Sequence, residues 1–201
     1  MSAVLPGLSE ALADAVDSAA GGLVRIEGRD RLPATGIVWD ADGLIITSHH
    51  VPERDENINV GFEDGEVVTA ELVGRDSATD QALLRTAKRG QFVPIWAKSE
   101  DLRVGHLALA LGRRGATPRA TMGIISALGK SWRTPAGGQI DRYLQTDIVM
   151  YPGFSGGQLV DSQGRFVGLN SSALVRGVSI TVPAPTLTRV VADLVNHGSV
   201  R

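Results

Sequence analysis

The sequence predicts an all-β protein built in two β-rich halves, with a short helix at each end. Three observations carry this expectation. From about residue 21 to residue 183, short runs rich in Val, Ile and Leu alternate with turn signals, a spacing that suits barrels or sandwiches rather than βαβ units. Near the middle, a polar and irregular stretch from Ala87 to Gly105, carrying Pro94 and Ser99-Glu100-Asp101, interrupts these runs and reads as the link between halves. Outside them, at both ends, apolar residues recur at helical spacing.

In chain order, Leu8, Leu12, Ala15, Val16 and Ala19 share one face of a helix over 8–20, with Ser9 as its N-cap and Gly21-Gly22 as its end. Strands follow at Leu23 to Glu27, Thr35 to Trp39 and Leu44 to Thr47, the last two joined by the turn Asp40-Ala41-Asp42-Gly43. Asn57 to Phe62 and Glu66 to Val73 form a hairpin around Glu63-Asp64-Gly65, and Gln81 to Thr86 closes the first half. The second half has strands at His106 to Leu111, Ala120 to Leu128, Tyr143 to Thr146, Gly157 to Val160, Phe166 to Leu169 and Val178 to Val182. Between them lie loops over 112–118 and 129–139 and the hairpin turn Asp161-Ser162-Gln163-Gly164. Leu187, Val190, Val191, Leu194 and Val195 then define an amphipathic helix over about 185–197, with Pro185 suited to its first turn.

Composition removes several function classes. A net charge of −2 leaves no electrostatic footprint for nucleic acid or an anionic membrane surface. The chain has no cysteine, which excludes disulfides, thiolate metal sites and a cysteine nucleophile together. No apolar run reaches the length of a membrane span. Met1 to Glu10 lacks the basic and apolar regions of a signal peptide, so the chain as read is expected in the cytoplasm, and outside it if a leader has been trimmed. Gly123 to Ser131 ends in Gly129-Lys130-Ser131, but five residues separate its glycines where a P-loop has four, and it reads as a strand and a loop. His49 and His50 have no second cluster of ligands near them, so no metal is expected, and no cofactor.

The chemistry centres on Gly153-Phe154-Ser155-Gly156-Gly157. Glycines beside a serine uncrowd its hydroxyl and allow the backbone dihedrals that turn N–H groups toward a developing oxyanion. Such a serine needs a base, and the base an orienting carboxylate. Of four histidines, His197 follows the C-terminal helix and His106 opens a strand, whereas His49 and His50 leave the apolar strand Leu44-Ile45-Ile46-Thr47. Adjacent residues face different sides, so only one of the pair can serve the site. For the carboxylate, Asp80 abuts the apolar strand Gln81 to Thr86, and Asp76, between Arg75 and Ser77, reads as a turn acid.

Three ordered motifs sharpen this reading: Thr47-Ser48-His49-His50-Val51, Gly74-Arg75-Asp76 with Thr79-Asp80-Gln81-Ala82-Leu83-Leu84, and Gln145-Thr146-Asp147 with Pro152-Gly153-Phe154-Ser155-Gly156-Gly157. Together they resemble the trypsin-like serine proteases of the HtrA/Deg family, over about Leu23 to Gly198. The resemblance implies two six-stranded antiparallel β-barrels of the chymotrypsin/trypsin type, over about 21–95 and 104–183, with the site in the cleft between them. In the family's pattern the histidine precedes a valine, which selects His50. The implied roles are Ser155 as nucleophile, His50 as base, Asp80 as its orienting carboxylate, and the Gly153 and Ser155 N–H groups as oxyanion hole. Val149, Met150, Asn170 and Ser171 would line the substrate pocket, favouring small or medium aliphatic residues. The implied partners are polypeptide substrates, unfolded or damaged proteins among them, and a homotrimer. Residues 1–38 contain no Phe, Tyr or Trp, so that trimer is expected to be marginal.

The sequence departs from the family's pattern at Phe154, where Asn is usual, and at Gln158, where Pro is usual. A bulky apolar side chain there either packs the oxyanion loop well or holds it collapsed; the isolated domain is expected to be a slow protease with this loop at least partly resting, and Phe154→Asn to raise its turnover. The alternative reading is a catalytically impaired protease fold serving as a binding or chaperone module. In relatives, a tail like Val195 to Arg201 leads into a PDZ domain, expected here to have been cut away or never present.

Overall fold

In a computed structural model, residues 4–28 and 32–198 are described. Helix α1 (Val4–Ala20) begins four residues before the predicted start, because Val4 and Leu5 extend the apolar spacing and Pro6 fits a first helical turn. Ser9 therefore lies inside the helix and is not its cap. The strands are β1 (Leu23–Glu27), β2 (Ala34–Val38), β3 (Leu44–Thr47), β4 (Ile58–Gly61), β5 (Val67–Asp76) and β6 (Gln81–Thr86), then β7 (Leu107–Arg113), β8 (Pro118–Leu128), β9 (Trp132–Arg133), β10 (Gln139–Ile140), β11 (Leu144–Thr146), β12 (Gln158–Asp161), β13 (Phe166–Ser171) and β14 (Ser179–Pro183). Helix α2 (Ala184–His197) follows directly.

The first six strands close an antiparallel barrel in the order β1-β2-β3-β6-β5-β4, and a second closes as β11-β14-β13-β12-β7-β8. Closure removes the free sheet edges that short strands would otherwise expose. The two-residue strands β9 and β10 pair within and at the end of the stretch predicted as a loop over 129–139, β10 reaching one residue beyond it. The turn Asp40 to Gly43 forms as predicted: Asp40 Oδ1 accepts from the N–H groups of Asp42 and Leu44, and Gly43 takes a φ of +91°.

Burial explains why β3 reads as four consecutive core residues, not as an alternation. Ile45 faces the first barrel's interior with Val24, Ile26, Ile58 and Leu84. Leu44 and Ile46 face outward, into a cluster that also holds Leu83, Phe166, Leu169, Ile180 and Val182, and Leu187, Val190 and Leu194 of α2. One apolar cluster thus joins the two barrels to the last helix, beside separate clusters in the first barrel and in the second. The linking stretch lies along β13, with Trp96 4.5 Å from Phe166 and 5.2 Å from Trp39, ring centre to ring centre. His50 follows β3 by three residues, and its backbone N–H donates to Asp80 Oδ1 at 3.3 Å.

Candidate active site

The turn between β5 and β6 aims a carboxylate at the loop after β3. Asp76, the predicted turn acid, accepts from the Ala78 N–H at 2.9 Å and from the Thr79 hydroxyl, so four residues turn back on themselves. Asp80 closes this turn with a φ of +57°, a conformation that Asp tolerates better than most residues. Its oxygens lie 2.9 and 3.1 Å from His50 Nδ1, and Oδ2 also accepts from the Ser171 hydroxyl at 2.6 Å. Burial alone would raise the Asp80 carboxyl, but the His50 hydrogen bond, the His50 charge and the Ser171 hydroxyl outweigh it and hold the group below its ordinary range. His49 makes no such contact: its Nδ1 is buried without a partner.

The loop carrying His50 is held by Arg75, a residue whose part sequence reasoning missed. Its guanidinium donates to the carbonyls of His49 at 3.2 Å, Pro52 at 2.5 Å and Arg54 at 2.9 Å, and pairs with Asp55 at 2.7 Å. Only a planar group with several donors can gather so many acceptors.

The glycine-rich loop is fixed by its carbonyls. Thr35 of β2 donates to the Gly153 carbonyl at 2.7 Å, and Arg114 donates to the Pro152 carbonyl at 2.9 Å. The Arg114 stem lies over Gly153 so closely that a Cβ there would come within 2.1 Å of it. Gly156, at a φ of +81°, lies against the first barrel, where a Cβ would stand 2.3 Å from the Thr35 carbonyl and the Thr47 hydroxyl. Among the backbone amides of 153–157, Phe154 donates to Tyr151, Gly156 to Asn170 and Gly157 to Phe154. Those of Gly153 and Ser155 donate to no acceptor among the described residues. Gly153 is buried, where an unpaired N–H is costly, so this pair of amides suits an oxygen supplied by a ligand. In a planar trans peptide the C=O and the next N–H point opposite ways, so the Arg114 bond to Pro152 also sets the direction of the Gly153 N–H. Arg114→Ala is expected to lower kcat roughly tenfold to hundredfold with KM little changed, as peptide kinetics will show.

Phe154 finds cover. Its side chain, 2% exposed, packs with Ala108, Ala110, Leu144 and Leu159 in the second barrel's core, with Tyr151 edge-on at 6.3 Å. This reverses the direction expected for Phe154→Asn. An amide in that apolar site should lower stability by about 3 kcal/mol, seen as a lower urea midpoint, and should not raise turnover. Gln158 is fully buried, with its Nε2 3.5 Å from the Ala19 carbonyl, and so ties α1 to the second barrel.

The expected pocket residues separate into two groups. Val149 and Met150 line an open depression of about 420 Å³ with Ile148, Gly177, Val178 and Ser179. Asn170 and Ser171 are buried and turned elsewhere: Asn170 Nδ2 donates to the Gln158 carbonyl at 2.7 Å, and Ser171 serves Asp80. Neither side chain lines that depression: consecutive on β13, they point to opposite sides, Asn170 to Gln158 and Thr181 of the second barrel and Ser171 to Asp80 of the first. The Ser155 hydroxyl is half-exposed and lies 2.8 Å from that of Ser172; no hydrogen bond joins it to His50 among the described residues. His106 at the head of β7 and His197 at the end of α2 take no part in the arrangement.

Comparison with known proteins agrees with this architecture. Residues 34–169 match the family model for the trypsin-like peptidase domain. The chain is 31% identical over 182 residues to a probable periplasmic serine endoprotease, DegP-like, of Chlamydia trachomatis, covering 88% of this chain and 36% of that protein. It is 35% identical over 175 residues to the chloroplastic Protease Do-like 1 of Arabidopsis thaliana, covering 83% and 40%. The chain therefore spans well under half the length of these relatives. Among solved structures, that of Deg5 superposes with a TM-score of 0.83 at 28% identity, covering 96% of this chain and 97% of that one. The chain belongs to the trypsin-like peptidase family, as a protease domain of the HtrA/Deg type.

Proposed function

We propose that the protein is a serine endopeptidase that hydrolyses peptide bonds in unfolded or damaged polypeptides. The observation that carries this reading is the His50–Asp80 pair, closed by Ser171 and joined in one fold with Ser155 and two unpaired amides. Ser155 Oγ attacks the peptide carbonyl as His50 Nε2 takes its proton. The carbonyl oxygen, now negative, is met by the N–H groups of Gly153 and Ser155. His50 returns the proton to the departing amine, and water then hydrolyses the ester by the same route. Asp80 keeps Nδ1–H as donor and stabilises the imidazolium. Val149 and Met150 favour small or medium aliphatic residues before the cut.

The relatives are named as periplasmic or chloroplastic, so the cytoplasmic expectation has no support, and we place the mature protein outside the cytoplasm. No helix among the described residues is long and apolar enough to cross a membrane. Exposed Val4, Leu5 and Leu8 on α1 fit a weak homotrimer contact. The absence of a Ser155–His50 bond among the described residues supports the second reading, an impaired protease fold acting as a binding or chaperone module. A fluorophosphonate probe and denatured casein separate the two: an endopeptidase takes the label and cleaves, and a binding module does neither.

A further inference from the structure

Ser171 and Ser172 are adjacent at the end of β13, and successive side chains there point to opposite sides. Ser171 is fully buried and donates to Asp80. Ser172 is exposed and its hydroxyl meets Ser155 Oγ at 2.8 Å. A serine hydroxyl has one proton and two lone pairs. If Ser155 donates to Ser172, its proton is not aimed at His50. If Ser155 accepts, the Ser172 proton engages one of its two lone pairs and still anchors Oγ beside Ser172. Both directions stabilise Ser155 Oγ in a position from which no hydrogen bond reaches His50 among the described residues. The segment is not free to drift from this contact, because the Asn170 carbonyl accepts from Gly156 and the Asn170 N–H donates to Gly157.

Resting on the proposed role of Ser155, we propose that Ser172 is a positioning residue that holds the Ser155 hydroxyl in a resting rotamer, off His50. Each catalytic cycle then begins by breaking one hydrogen bond. The bond is exposed and neutral, so its hold is modest and its removal speeds the chemical step without altering substrate contacts.

The test compares wild type, Ser172→Ala, Ser172→Thr and Ser155→Ala by the rate of fluorophosphonate labelling and by kcat and KM on a peptide, across pH. Ser172→Ala is expected to raise the labelling rate and kcat about two- to tenfold, with KM within about twofold and the midpoint of the pH profile unmoved. Ser172→Thr, which keeps the hydroxyl, should return to the wild-type rate. Labelling of Ser172→Ala at or below the wild-type rate overturns the hold alone, as does a Ser172→Thr enzyme as fast as Ser172→Ala. If neither wild type nor Ser172→Ala takes more label than Ser155→Ala, the role of Ser155 falls, and the hold with it.

Discussion

Ser155→Ala and His50→Ala should each lower peptide hydrolysis by about six orders of magnitude, to the background set by binding and the backbone amides, since a nucleophile and its base act as one unit. The two variants differ in stability. Ser155→Ala loses only a half-exposed hydroxyl and its bond to Ser172, so its unfolding midpoint should match wild type. His50→Ala leaves the buried Asp80 carboxylate with the Ser171 hydroxyl and without its ring partner, and should lose about 1–3 kcal/mol. His49→Ala should keep most activity: the ring makes no bond to Asp80, and the bond from Arg75 goes to the backbone carbonyl. Kinetics with urea denaturation on the three variants check this, and a dead His49→Ala beside an active His50→Ala would reverse the assignment of the base.

Asp80→Asn should lower turnover by about four orders of magnitude while leaving the fold in place. The amide can present its NH₂ to Nδ1, which moves the imidazole proton to Nε2 and leaves no lone pair to receive the Ser155 proton. Its pH signature follows from the lowered Asp80 carboxyl. A group depressed in the folded state contributes stability that is complete above its unfolded value, about pH 4, and is lost as pH falls through the lower folded one. The difference in unfolding free energy between wild type and Asp80→Asn should therefore be flat at neutral pH and shrink on acidification below about pH 4. A difference that grows toward acid would show that the carboxylate is not stabilised by this pairing.

The fold and the central residues were legible because each has a local mark. Glycines frame Ser155, an apolar strand leads to the pair His49-His50, from which only the family's pattern selects His50, and Asp80 abuts the apolar strand Gln81 to Thr86. The supporting contacts were not legible, because they arrive from distant elements. Thr35 lies 118 positions from the Gly153 carbonyl it holds, and nothing in Ala34-Thr35-Gly36 signals that target. Ser171 was expected in a pocket wall, yet which side of a strand faces a cleft depends on barrel register, not on residue type. The β9–β10 pair was read as loop because two-residue strands leave no periodicity to detect. Phe154 looked anomalous against the family's Asn, and only the packing of the second barrel shows the space that receives it.

The core shared by β3, β13, β14 and α2 has a consequence for the order of events during synthesis. The first barrel leaves the ribosome early, but Leu44, Ile46 and Leu83 stay uncovered until the second barrel and residues 187–194 emerge. The same late segments bring Ser155 and Ser171 to the already translated His50 and Asp80. A nascent chain thus carries half of the proposed centre and an apolar face awaiting cover. On the proposed roles, the two halves of the site meet only as the second barrel and the helix over 184–197 cover the face that Leu44, Ile46 and Leu83 leave open.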